Sequence, residues 1–148
     1  MEIKKAAEKE LDRILEIYAY ARKFMAENGN ATQWKDSYPP VELIKQDIGE
    51  GKCHVCVEGD KILGVFYFAG ENDPTYEEIR DGHWLNEEPY AVVHRIASAE
   101  GTKGVASFCL NWALEQTGNI RIDTHEDNKP MQGLLKKWGF QYCGRITL

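Results

Sequence analysis

Gly101-Thr102-Lys103-Gly104-Val105-Ala106 is the stretch on which the fold turns. Before it runs Ala91-Val92-Val93-His94-Arg95-Ile96-Ala97, rich enough in β-branched residues to read as a strand. After it, Val105, Phe108, Cys109, Trp112 and Ala113 recur at helical spacing as far as Gln116. A strand that turns through glycine into a helix leaves the first N–H groups of that helix unpaired, with the positive end of its dipole behind them. Such a helix start is an anion site, and phosphate is its common occupant. Gly104 brings the backbone close to an anion with no Cβ in the way, and Lys103 adds charge. Thr102, Lys103, Gly104, Val105, Ala106 and Ser107 therefore form the candidate cradle. The rest of the helix is core in any reading.

Two familiar phosphate cradles do not fit. A mononucleotide P-loop needs Lys directly after its second Gly, followed by Ser or Thr, whereas Lys103 precedes Gly104 and Val105 follows it. The dinucleotide fingerprint needs G-x-G-x-x-G, and Gly101 and Gly104 have the wrong spacing. Four further segments bear on the choice: His94-Arg95-Ile96-Ala97-Ser98, Asp123-Thr124-His125-Glu126-Asp127-Asn128, Leu134-Leu135-Lys136-Lys137-Trp138-Gly139-Phe140 and Gln33-Trp34-Lys35-Asp36-Ser37-Tyr38-Pro39.

Taken in order, these segments resemble the GNAT acyltransferase superfamily over nearly the whole chain. The cradle resembles its pyrophosphate motif, Q/R-x-x-G-x-G/A, with Gly101 where Gln or Arg is usual. The resemblance implies an α+β fold: a mixed, mostly antiparallel sheet flanked by about four helices. It implies acetyl-CoA as co-substrate, with its pantetheine arm along Ile96, Ala97 and Ser98 and with Asn128 opening the next helix beside it. It implies direct attack by an amine in a ternary complex, the oxyanion taken by a backbone N–H near Ile96 or Ala97. The family often protonates the departing sulfur with a tyrosine on the last helix. Seven residues on from Asn128, that position holds Leu135, which does no proton chemistry and has the spacing of a packing residue.

Composition narrows the partners. The 148 residues make one domain, 1–148, with 43% hydrophobic residues and no apolar run long enough to span a bilayer. Met1-Glu2-Ile3-Lys4-Lys5 lacks the apolar core of a secretion signal, so a cytoplasmic protein is expected. A net charge of −6 disfavours nucleic acid and suits a cationic small-molecule or peptide amine. Of the four cysteines, Cys53 and Cys56 form C-x-x-C, but in a strand-like run where positions three apart face opposite sides. Reduced thiols are expected, and no metal.

Along the chain, Glu2 to Lys5 reads as a first strand, Glu8 to Asn28 as a helix, and Val41 to Ile48 as a second, short helix. Cys53 to Glu58 and Lys61 to Ala69 flank Gly59-Asp60 as a hairpin, and 70–89 is a turn-rich insertion. A fifth strand is expected over Asn119 to Thr124, then a helix capped by Asn128 and stopped at Gly139. Phe140 to Leu148 reads as one last strand, where GNAT domains usually have two. The expected shortfall leaves the fifth strand with an open edge, which favours a homodimer.

For the general base, His94 on the fourth strand is the first candidate and His125 the second, with Glu87 and Glu88 able to act through water. Each also reads as an ordinary hydrogen-bonded or solvated residue. The insertion carries Glu71, Asp73, Glu77, Glu78, Asp81, Glu87 and Glu88, either a solvated loop or a negative mouth for an amine. Gln33, Trp34, Tyr38 and Trp84, with Tyr76, are candidates for the substrate walls. Besides an N-acetyltransferase, a non-catalytic acyl-CoA binding module and a fold that has lost its ligand stay open, the former favoured by Leu135 and the latter by Gly101.

Overall fold

The computed structural model describes residues 1–147. Five strands, β1 (Glu2–Lys5), β2 (Cys53–Glu58), β3 (Lys61–Ala69), β4 (Ala91–Ser98) and β5 (Ile120–Arg121), form one sheet in sequence order. The first four pair antiparallel and β5 joins β4 in parallel. Four helices flank it: α1 (Leu11–Glu27), α2 (Val41–Gly49), α3 (Val105–Thr117) and α4 (Lys129–Lys137). The expected start of the first helix at Glu8 is instead a separate 3-10 turn, Glu8–Glu10, whose Glu10 carboxylate accepts the Ala7 N–H at 2.7 Å.

Strand alternation divides the core into layers. On one face Ile14, Ile17 and Tyr18 of α1 and Ile44 of α2 meet Cys53, Val55, Val65 and Ala97. On the other, Val105, Cys109, Leu110 and Ala113 of α3 meet Cys56, Phe66 and Val93. Cys53 and Cys56 thus belong to different layers, as their spacing requires. Gly64 seats α3: a Cβ there would lie 2.5 Å from Val105 Cγ1.

A bulge organises β4. Val65 pairs with Ala97 and Tyr67 with His94, so β4 carries one residue more than β3 between these pairs. Arg95 takes up the extra residue at φ +52°, a left-handed conformation rare for a long side chain. The Tyr18 hydroxyl donates to the Arg95 carbonyl at 2.7 Å and helps fix it. Strict alternation would send neighbours to opposite faces. Here His94 and Arg95 both reach the Tyr67 ring, His94 at a ring-centroid distance of 5.4 Å and Arg95 with its guanidinium carbon 4.6 Å from the centroid.

Two expectations about the end of the sheet are corrected. The fifth strand is Ile120–Arg121 rather than Asn119 to Thr124, because only Ala91–Ile120 and Val92–Arg121 pair before the strands part. Residues 140–147 form no strand. They lie against the insertion, where Arg80 and Arg145 exchange N–H···O=C bonds of 2.7 Å each way. Gly144 makes this close approach possible: at φ +151° a Cβ would sit 2.5 Å from the Arg80 carbonyl oxygen. Leu148, the end of the expected strand, lies outside the described residues. Among the described residues no helix is long and apolar enough to cross a membrane.

Candidate active site

The turn from β4 to α3 has the form its glycines demand. Gly101 and Gly104 take φ +76° and +73°, and a Cβ at either would meet nothing within 4 Å, so the ground in front of the helix is open. The first helical hydrogen bond runs from Phe108 N–H to the Gly104 carbonyl at 3.0 Å. The amides of Val105, Ala106 and Ser107 precede it, and no side chain caps them. Lys103 is exposed beside them. These donors, the dipole and the missing Cβ fit a pyrophosphate. Two side chains of the cradle are already engaged. The Thr102 hydroxyl donates to the Ala99 carbonyl at 2.7 Å, and Ser107 Oγ accepts the Trp138 indole N–H at 3.2 Å, tying α4 to α3.

Beside the cradle the sheet opens between β4 and β5. Ala99 N–H donates to the Leu63 carbonyl at 2.8 Å. Counting back along the strand, the main-chain groups of Ala97 also point toward β3, and those of Ser98 point into the opening. The two expected oxyanion positions, Ile96 and Ala97, follow the bulge at Arg95 directly. Across the gap, Asn128 caps α4 by accepting Met131 N–H at 3.2 Å, and its amide donates to Gln33 Oε1 at 3.1 Å. Gln33 also accepts from Asn30 at 3.0 Å, so it ties the loop after α1 to the start of α4.

His94 stands two residues beyond Val92, the last residue of β4 that pairs with β5. Its Nε2 lies 2.9 Å from Asp73 Oδ2, and its Nδ1 lies 3.7 Å from Asp123 Oδ1. Asp73 is held from several sides: Oδ1 accepts the Thr75 amide at 2.9 Å and hydroxyl at 2.7 Å, and its own N–H donates to Tyr90 Oη at 2.9 Å. Burial raises the Asp73 carboxyl, but the Thr75 donors and then His94 outweigh it and hold it below the ordinary aspartate range. Asp123 accepts the Tyr76 hydroxyl at 2.5 Å. Tyr76 is 1% exposed, and burial followed by the Asp123 charge pushes its phenol far up, so it remains a donor. Next to it, Tyr67 donates to Glu71, which also accepts Lys52 at 3.2 Å. Burial and this carboxylate push the Tyr67 phenol up to about 12.

Other candidates take different places. His125 Nδ1 accepts the Asp127 N–H at 3.0 Å and so serves its own turn. Glu87 and Glu88 are exposed, and the carboxylates that reach His94 are Asp73 and Asp123 instead. Trp34 is corrected from substrate wall to core: it is 8% exposed and packs edge-on against Tyr18, ring centroids 5.8 Å apart. Trp84 is also a structural residue, donating to the Tyr76 carbonyl at 2.9 Å while the Arg121 guanidinium covers its ring at 4.5 Å. Tyr38 is exposed, its hydroxyl accepting from Arg95 at 3.2 Å. The insertion is no solvated loop at Glu71, Asp73, Tyr76 and Trp84, which pin it to the sheet, while Glu77, Glu78, Asp81, Glu87 and Glu88 remain exposed. Sequence reasoning gave Asp73 and Asp123 no part at His94. The only local signal was Asp73-Pro74-Thr75, a capping pattern for the short turn that presents the carboxylate.

No protein-family model and no curated protein matches the chain. Solved structures do. A GNAT-family acetyltransferase from Streptococcus agalactiae is 32% identical, over 99% of this chain and 88% of its own, with a TM-score of 0.91. A candidate acetyltransferase from Staphylococcus aureus is 29% identical over 95% of this chain and 92% of its own, with a TM-score of 0.73. A GNAT-family acetyltransferase from Listeria monocytogenes shares the fold at 21% identity, over 97% of this chain and 88% of its own, with a TM-score of 0.73. The chain belongs to the GNAT family of acetyltransferases. Acetyl transfer is accordingly the chemistry its relatives support, and that family generally uses acetyl-CoA.

Proposed function

We propose that this protein is an N-acetyltransferase that passes an acetyl group from acetyl-CoA directly to a small-molecule or peptide amine. The observation that carries the reading is the open, uncapped start of α3 at Gly104, set beside the parting of β4 and β5. Acetyl-CoA supplies an activated thioester whose pyrophosphate suits the amides of Val105, Ala106 and Ser107. Ser98 offers main-chain partners along the opening, and the Ile96 N–H, directly after the bulge at Arg95, is the donor for a developing oxyanion. His94, between two carboxylates at the mouth of the opening, is the base that deprotonates the amine.

No acyl-enzyme is needed. Burial pushes the Cys53 thiol up to about 12, the hydrogen bond with Cys56 together with burial raises Cys109 far above the ordinary thiol, and Cys56, which that hydrogen bond lowers, is fully buried. Intact mass after mixing with acetyl-CoA should show no stoichiometric acetyl adduct.

Titration calorimetry with acetyl-CoA tests the cradle. Gly104→Asp puts a negative charge and a Cβ before the pyrophosphate and should weaken binding at least tenfold, about 1.4 kcal/mol. Unchanged affinity in a folded variant removes the assignment. A second reading, an acyl-CoA binding module without turnover, is favoured by Leu135, which packs with α3 where the family often has its acid. Release of CoA with a panel of amines separates the two.

The reading includes a homodimer. Among the described residues β5 is a two-residue edge strand with no strand beyond it. Light scattering that gives a concentration-independent monomer would remove this part.

A further inference from the structure

His94 touches two aspartates through its two ring nitrogens, and the contacts are unequal. Nε2 to Asp73 Oδ2, at 2.9 Å, is a hydrogen bond, whereas Nδ1 to Asp123 Oδ1, at 3.7 Å, is too long for one. An ionised carboxylate only accepts, so the Nε2 position must carry the proton in this bond. A neutral imidazole has one N–H, and its lone pair therefore sits on Nδ1. That nitrogen faces an aspartate already accepting from Tyr76. The charged and titratable groups facing the ring are Asp73 and Tyr76 from the insertion, Asp123 from beyond β5, and Tyr67 from β3, whose own ring carries the Arg95 guanidinium carbon 4.6 Å from its centroid.

Resting on the proposed acetyl transfer, we infer that Nδ1 of His94 is the proton-accepting atom, that Asp73 is a positioning residue which fixes the Nε2–H tautomer, and that Asp123, oriented by Tyr76, balances the charge that His94 gains on protonation. In the step, the N–H bond of the acceptor's ammonium breaks and the Nδ1–H bond forms. The electron pair stays on the amine nitrogen and becomes its nucleophilic lone pair. The new Nδ1–H then points toward Asp123, where closing a gap of 3.7 Å to bonding distance requires only a small movement. The assignment adds roles for the insertion and for the segment after β5 that neither needs for packing alone.

The test uses the full chain with its histidines labelled with 15N. Four histidines are present, and the spectrum of His94→Gln assigns the ring in question. Long-range 1H–15N spectra of the neutral form should show a protonated Nε2 and a pyridine-like Nδ1, and on acidification the added proton should appear on Nδ1. Asp73→Asn should abolish the fixed tautomer and lower kcat about 100-fold, with KM for acetyl-CoA unchanged. Asp73→Glu, which can still accept, should keep the tautomer and recover part of the rate. A wild-type ring protonated on Nδ1 overturns the inference. So does an Asp73→Asn protein that loses the tautomer but keeps kcat and the acidic limb of kcat/KM, since the contact would then only anchor the insertion. Absence of CoA release with every amine defeats the acetyl-transfer reading instead, and the spectra still decide which nitrogen takes the proton.

Discussion

His94 and Arg95 are chain neighbours on β4, and each meets an aspartate brought from outside the sheet: Asp73 at 2.9 Å and Asp47 at 2.7 Å. The surroundings differ. The Arg95–Asp47 pair is closed off, with side chains 11% and 4% exposed, and burial pushes the Asp47 carboxyl up against the pull of Arg95. The His94–Asp73 pair is more open, at 19% and 17%, and Thr75 donors turn the balance the other way, holding Asp73 down. The same kind of carboxyl is shifted in opposite directions at two neighbouring positions of one strand. A carboxylate with neutral donors can be held charged and still face a partner that changes its protonation. A carboxylate with one permanent cation and little else is committed to that cation. The first arrangement suits chemistry, the second holds α2 to the bulge.

The largest break in this contrast is Asp47→Ala. It leaves the Arg95 guanidinium buried without its counter-charge and should cost about 3–5 kcal/mol in urea unfolding. A loss below about 1 kcal/mol would show that the pair is not closed off. Next comes Asp73→Asn, with the tautomer and rate changes given above. Its stability loss should be smaller, about 1–3 kcal/mol for bonds to a charged group, so rate and stability part company at Asp73 but not at Asp47.

Acid unfolding sharpens the comparison, because the two aspartates carry opposite signs. Asp73 is depressed in the fold, so its contribution is present above the ordinary aspartate value, about 3.9, and is lost as pH falls through the folded value. Asp47 is raised, so its contribution is full below the ordinary value and is lost as pH rises through the folded one. Urea midpoints measured from pH 6 down to pH 3 should fall less steeply than wild type in Asp73→Asn and more steeply in Asp47→Asn. Equal slopes in the two variants would remove the assignment of opposite shifts. The smallest effect is expected for Trp84→Phe, which loses the bond to the Tyr76 carbonyl for about 0.5–1.5 kcal/mol. Hydrogen exchange should quicken in the insertion that carries Asp73 and stay unchanged in α2 that carries Asp47.

The residues that were legible in the sequence are those whose conformation is set within a few positions. Gly101 and Gly104 take the left-handed backbone on their own account, Asn128 caps the amide three residues ahead, and Cys53 and Cys56 part by simple alternation. Together with the turn at Gly59-Asp60 these determined the hairpin, the open helix start and the cap of the last helix. What only the tertiary structure decided is which distant groups meet at β4. The bulge at Arg95 breaks the alternation that a sequence reader must assume, and its supports, Tyr18 and Asp47, come from α1 and α2. Asp73 reaches His94 across 21 positions and Tyr76 reaches Asp123 across 47, so no local spacing announces either contact. For the same reason Trp34 went to the core rather than to a substrate wall. The residues expected to close the sheet docked instead on the insertion, where Gly144 admits the Arg80 carbonyl. Local backbone preference is a property of a few residues, whereas register and face depend on packing partners far along the chain, and those are what set the chemistry of His94.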